Sequence, residues 1–188
     1  MQTAALVVVA FVALLYVVEL VDALTGNRLD AAGVEPREMD GLDGILFAPL
    51  LHGGWAHLAA NTVPLLVLGF LILLGGVGRW VAVTAVVWVV GGVGVWLTGA
   101  ENSVHIGASV LAFGWLVCLL LRGLFSGSVP QIVVGVVLMF LYGGLLVGAL
   151  PGAPGVSWQG HLFGAIGGGI AAWWFGQRDR ELSKVSQH

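Results

Sequence analysis

The sequence predicts an all-α, polytopic membrane protein built as a bundle of six transmembrane helices, and three observations carry that prediction. Of the 188 residues, 59% are hydrophobic and only 9% are charged, with a mean hydropathy of +1.00; a soluble domain carries roughly a quarter charged residues. Six apolar stretches each approach the length of about 20 residues that crosses a bilayer. Thirty glycines, with abundant alanine, suit helices that approach closely through small residues.

The spans follow in order at about 4–23, 56–75, 80–98, 107–124, 130–149 and 158–176. The breaks between them are "TGNRLDAAGVEPREMDGLDG", "GGVGR", "TGAENSVH", "LRGLFSGSVP" and "LPGAPGVSW". Each holds glycine, proline or charge, as turn chemistry requires. The polar tail, 177–188, leaves the membrane. No internal repeat or second domain is visible, so residues 1–188 read as one membrane domain. The first span has no Lys or Arg before its apolar run and is long for a signal-peptide core, so it reads as a retained helix. Glu19 and Asp22, near its far end, read as interfacial.

Charge sets the orientation. One side carries Arg79, Arg122, Arg178, Arg180 and Lys184; the other carries Arg28 and Arg37 among Asp30, Glu35, Glu38, Asp40, Asp43 and Glu101. The positive-inside rule places both termini in the cytoplasm, and six spans agree with that parity. The single cysteine, Cys118, excludes a disulfide framework and a cysteine metal site. A net charge of -3 without a basic stripe argues against nucleic-acid binding.

The second, fourth and sixth spans run in the same direction, so their N-termini share the outer face. His57 and Asn61 fall in the first turns of the second span, Ser109 in the first turn of the fourth, and His161 in the first turn of the sixth. His57 and Asn61 are four apart and share a helical face. Taken singly, a membrane serine packs or bonds back to a carbonyl, and an asparagine can serve as interhelical glue. Ionisable groups inside a membrane are costly and mark function, and two histidines with an asparagine and a serine at one depth point to a site. His52 belongs to the loop before the second span. His105 and His188 read as solvated.

Gly160, Gly164 and Gly168 recur every four residues and form a groove beside His161, while Gly107 and Ala108 thin the opening turn of the fourth span. Such faces permit the close approach that a Ser109–His161 hydrogen bond demands. A hydroxyl needs an adjacent base to become a nucleophile, and His161 can supply it. No carboxylate lies in the core of these three spans, so the pair is a dyad rather than a triad. Phe113, one turn after Ser109, can stack on the imidazole. Asn61, His57 and the Ser109 backbone N–H are candidate donors to an oxyanion, aided by the positive end of the helix dipole. A zinc hydrolase using His52, His57 and His161 is the weaker alternative, because the first two lie off a shared face and no H-E-x-x-H motif is present. No metal or other cofactor is expected. Polar residues gathered at one face do not line a transport path.

The segments "HGGWAHLAAN", "GAS" and "GHLFGAIGG", in that order, resemble the rhomboid intramembrane serine proteases over nearly the whole chain. The resemblance implies Ser109 as nucleophile, His161 as general base, and His57 and Asn61 as oxyanion-stabilising side chains. It implies a mainly structural role for His52 and supporting roles for Gly107, Phe113, Gly164 and Gly168. It also implies hydrolysis of peptide bonds in or near transmembrane segments of membrane-protein substrates, within the bilayer, through a site open to the outer face of a prokaryotic plasma membrane. The loop before the sixth span would be a lid and the fifth span a movable gate. A catalytically inactive relative that binds transmembrane helices is the alternative. Two departures from the family pattern stand out: Val110 follows the serine where glycine is common, and the first outer loop, 24–48, is acidic and lacks the family's Trp-Arg pair.

Overall fold

The computed structural model describes residues 1–152 and 155–185. Among these, seven α-helices account for nearly all regular structure: α1 Gln2–Leu24, α2 Gly44–Phe47, α3 Trp55–Leu73, α4 Val77–Thr98, α5 Ser109–Ser126, α6 Val129–Tyr142 and α7 Trp158–Val185. Five segments are long and apolar enough to cross a membrane: α1, α3, α4, α5, and α6 together with the 3-10 segment Gly143–Ala149 that continues it. The protein is an all-α integral membrane protein.

α7 has the length to span but not the apolar window, because Gln159, His161 and a run of glycines dilute its hydropathy and its last turns are polar. It differs from the expected sixth span at its end. The helix continues unbroken to Val185, so the predicted tail is helical as far as it is described; His188 lies outside the described residues.

α5 is the axis of the bundle. Val110 through Leu116 are all buried, including Trp115 and Leu116 at 0% exposure, as expected for a helix that is apolar all round. α7 and α4 pack on it through glycine. A Cβ at Gly168 would collide with the Gly114 carbonyl, one at Gly164 with the Val110 carbonyl, and one at Gly114 with Val87. α1 packs on α3, contributes Val12 and Leu15 to the core, and brings its Phe11 ring to Trp115 of α5, 6.1 Å between centroids. α6 is the most peripheral span; only Gly135 and Leu138 are buried.

The two groups of charges occupy opposite ends. Asp179 accepts from both Arg79 and Arg122, joining α4, α5 and α7 at one end. At the other end, residues 25–54 form a folded platform on the loop 99–107. Val34 and His105 exchange backbone hydrogen bonds, 3.0 Å each way, Arg37 donates to the Gly99 carbonyl at 2.9 Å, and Trp88 donates to the Ile45 carbonyl at 2.7 Å. Glu19 and Asp22 are buried at 3% and 2% exposure, which corrects the interfacial reading. The chain after α1 folds back over them, with the Leu29 N–H donating to Asp22 Oδ1 at 2.6 Å.

Candidate active site

Ser109 is the first residue of α5, and His161 lies in the opening turn of α7. Both follow irregular loops, and the glycine crossing below them brings the two helix starts together. Ser109 Oγ lies 2.8 Å from His161 Nε2, and His161 Nδ1 lies 2.9 Å from the Gly148 carbonyl. A carbonyl only accepts. The neutral imidazole therefore carries its proton on Nδ1 and accepts the Ser109 O–H at Nε2, the arrangement a general base requires. Phe113 stacks on the imidazole with a centroid separation of 4.0 Å and an interplanar angle of 8°. The ring is thus held by a π-face and a carbonyl, with no carboxylate on it.

Gly107 is the residue that lets the loop reach α5. Its φ of +126° lies where L side chains are strained, and an added Cβ would sit 3.0 Å from His57 Nε2 and 3.6 Å from Ser109 Oγ. His57 and Ser109 therefore flank the same glycine. The Gly107 N–H donates to the Ala48 carbonyl at 2.8 Å, and the Ala108 N–H donates to His52 Nε2 at 3.3 Å.

His52, 1% exposed, is a neutral acceptor. Burial, the neighbouring His57 and only a partial offset from the Leu50 carbonyl bring its pKa down to about 4. With Nε2 accepting, its proton sits on the buried Nδ1, which makes no regular hydrogen bond. His52 thus reaches across to the loop before α5 through Nε2.

Asn61 Nδ2 donates to the His57 carbonyl at 3.0 Å, which uses one of its two amide hydrogens. His57, Asn61, Ser109, Phe113 and His161 together line a cavity of about 810 Å³. The Ser109 N–H, at the start of its helix, has no intrahelical acceptor. The structure thus brings the predicted Ser109, His161, His57, Asn61 and Phe113 to one cavity, with Gly107 and His52 behind them and Gly164 and Gly168 in the crossing below. Among the described residues, no group of three or more His, Cys, Asp or Glu side chains is arranged to hold a metal ion; the His52 and His57 rings meet edge-on at 5.1 Å.

Val110 does not disturb the pair. Its Cγ2 fills the space a side chain at Gly91 would need, so α4 supplies the missing room and the hydrogen bond stays at 2.8 Å. His105 is not solvated: it is half-buried, with Nδ1 2.6 Å from Ser157 Oγ and Nε2 3.0 Å from Ser103 Oγ. Two features escaped the sequence. The Gly148 carbonyl is a backbone group and leaves no sequence signal. The His105–Ser157 pair does leave one, since each residue stands four positions before a member of the dyad.

The Rhomboid domain family matches residues 41–178. An uncharacterized protein of Mycobacterium tuberculosis is 53% identical over 188 residues, covering 96% of this chain and 78% of the relative. A Mycobacterium bovis protein shows the same identity and coverage. A Mycobacterium leprae protein is 49% identical, covering 96% of this chain and 74% of its own. No solved structure matches the chain significantly. With a family match over most of its length, the chain belongs to the rhomboid family.

Proposed function

We propose that this protein is an intramembrane serine protease that cleaves peptide bonds in or near transmembrane segments of membrane-protein substrates. The observation that carries the reading is the 2.8 Å Ser109–His161 hydrogen bond, whose polarity makes the imidazole the acceptor. Ser109 Oγ attacks the scissile carbonyl carbon while His161 Nε2 takes its proton. The oxyanion that forms is stabilised by the Ser109 N–H, the second amide hydrogen of Asn61 and the His57 ring. His161 then returns the proton to the leaving amine, an acyl ester remains on Ser109, and water activated by the same histidine hydrolyses it. The Gly148 carbonyl and Phe113 do the orienting that a carboxylate does in a triad.

On this reading residues 1–188 form one membrane domain, α7 is the sixth span, both termini are cytoplasmic, and the cavity opens to the outer face of a prokaryotic plasma membrane. The grouping of Arg79, Arg122 and Asp179 at the end opposite the cavity supports that orientation. Ser109→Ala and His161→Ala are each expected to abolish cleavage of a transmembrane substrate in proteoliposomes while the protein still folds. Full activity in either variant overturns the dyad. A fluorophosphonate probe separates the protease from an inactive helix-binding relative, because it labels only an activated serine and labels nothing in Ser109→Ala.

A further inference from the structure

We propose that His105 and Ser157 form a second rung beside the dyad, and that His105 is a positioning residue which, through Ser157, fixes the start of α7 and with it His161. This role rests on the protease reading above. His105 stands four residues before Ser109 and Ser157 four residues before His161. The two pairs, His105–Ser157 and Ser109–His161, therefore join the same two loop–helix junctions with the residue types exchanged, at 2.6 Å and 2.8 Å.

The hydrogen bonds around His105 have one consistent direction. Ser103 Oγ donates to the Ala100 carbonyl at 2.5 Å. Its hydrogen is then spent, and it must accept from His105 Nε2–H at 3.0 Å. In the neutral ring Nδ1 is left as an acceptor, so the Ser157 O–H donates to it. Ser157 Oγ in turn accepts the Gly160 N–H at 3.3 Å, which caps the first turn of α7, and the Ser157 carbonyl accepts the His161 N–H at 3.2 Å. Burial lowers the pKa of His105, which favours the neutral ring that this order needs.

The rung has a firm base. The backbone of His105 is paired in both directions with Val34, and Gly99 packs so closely that a Cβ there would sit 2.9 Å from His105 Nε2. The platform 25–54 thus holds His105, His105 holds Ser157, and Ser157 holds the turn that carries His161. When the rung is broken at His105, the start of α7 keeps its Ser157 cap but loses its lateral reference to α5.

The test measures fluorophosphonate labelling rates and substrate kcat and KM for the full chain in proteoliposomes. The variants are His105→Ala, Ser157→Ala, the double variant and Ser157→Thr. Trp96→Phe, which removes the 2.9 Å bond to the Glu38 carbonyl in the platform, serves as a structural control. Each alanine variant is expected to label about tenfold more slowly and to lose kcat more than KM, short of the roughly hundredfold that a 1 Å misplacement costs. The double variant should be no slower than Ser157→Ala, because His105 acts through Ser157. Ser157→Thr, which keeps hydroxyl and cap, should restore the rate, and Trp96→Phe should label like wild type. Labelling at the wild-type rate in Ser157→Ala overturns the proposal, as does an equal loss in Trp96→Phe. If His105→Ala does not fold, His105→Leu, which removes the ring nitrogens and leaves the Ser157 cap on Gly160 in place, is measured instead, and labelling at the wild-type rate there overturns the proposal. A wild type that takes no label overturns the protease reading itself, a result distinct from a labelled wild type with unaffected variants.

Discussion

Gly164→Ala tests whether the glycine crossing is what holds the dyad together. A Cβ at Gly164 would stand 3.0 Å from Val110 Cγ2 and 3.2 Å from the Val110 carbonyl carbon, and closer still to that carbonyl's oxygen. Ordinary carbon contacts lie at about 3.5–4.0 Å, so α7 must retreat from α5 by roughly 0.5–1 Å at this level. Val110 adjoins Ser109, and Gly164 is one turn from His161, so the retreat falls on the dyad. The 2.8 Å hydrogen bond would stretch to about 3.3–3.8 Å, beyond the usual hydrogen-bond range. Cleavage should fall by about ten- to a hundredfold, and overpacking should lower stability by about 1–3 kcal/mol. Gly169→Ala is the matched control, since its Cβ meets only Leu121 Cδ1 at 3.9 Å and alanine is the better helix former. Initial rates on a transmembrane substrate, with thermal unfolding of each variant, separate the two effects. If Gly164→Ala cleaves at the wild-type rate, the backbone contact does not set the dyad geometry and the reasoning fails.

Phe113→Leu removes the ring stacked on His161 at 4.0 Å; such pairs contribute about 0.5–1.5 kcal/mol, so kcat at saturating substrate should fall by about two- to tenfold with the protein still folded. Asp179→Asn weakens the contacts to Arg79 and Arg122 and should cost about 1–3 kcal/mol of stability in denaturant titration. Burial draws the Asp179 carboxyl upward, but hydrogen bonds from Arg79 and Arg122 outweigh it and hold the pKa below the ordinary 3.8. Its stabilisation is thus complete above about pH 3.8 and lost as pH falls through the lower folded value, an acid loss that Asp179→Asn should not show.

The parts of this fold legible in the sequence were those that depend on helix direction and spacing. Ser109, His161, His57 and Asn61 could be placed at one depth because each opens a span running the same way, and period-four glycines announced the crossing. What could not be read depends on contacts between distant segments. Val110 looks too large for its place until Gly91 of α4 is seen to receive it. Glu19 and Asp22 look interfacial because nothing local says that residues 25–32 fold back over the end of α1. His105 looks like an ordinary loop histidine, since its partner is 52 residues away. The carbonyl that orients His161 exists as a free acceptor because α6 gives way to a 3-10 segment at Gly143–Ala149, where residues 130–149 read as one uninterrupted span.

These contacts divide the bundle unequally. α5 and α7 are bound to each other at three levels: the two Ser–His pairs at one end, the glycine crossing below them, and Asp179 between Arg79 and Arg122 at the other. The two helices that present Ser109 and His161 are therefore tied to each other along their whole length. α6 is held on α5 by its N-terminal half, where a Cβ at Gly123 would sit 2.5 Å from the Ile132 nitrogen, while its C-terminal half leaves Phe140 87% exposed and Leu141 70% exposed. Yet the 3-10 extension of α6 supplies Gly148, whose carbonyl keeps the proton of His161 on Nδ1. Without that carbonyl, Nδ1–H would have no acceptor and nothing would fix the tautomer that presents a bare Nε2 to Ser109. The orientation of the base therefore depends on α6 as well as on the two helices that carry Ser109 and His161.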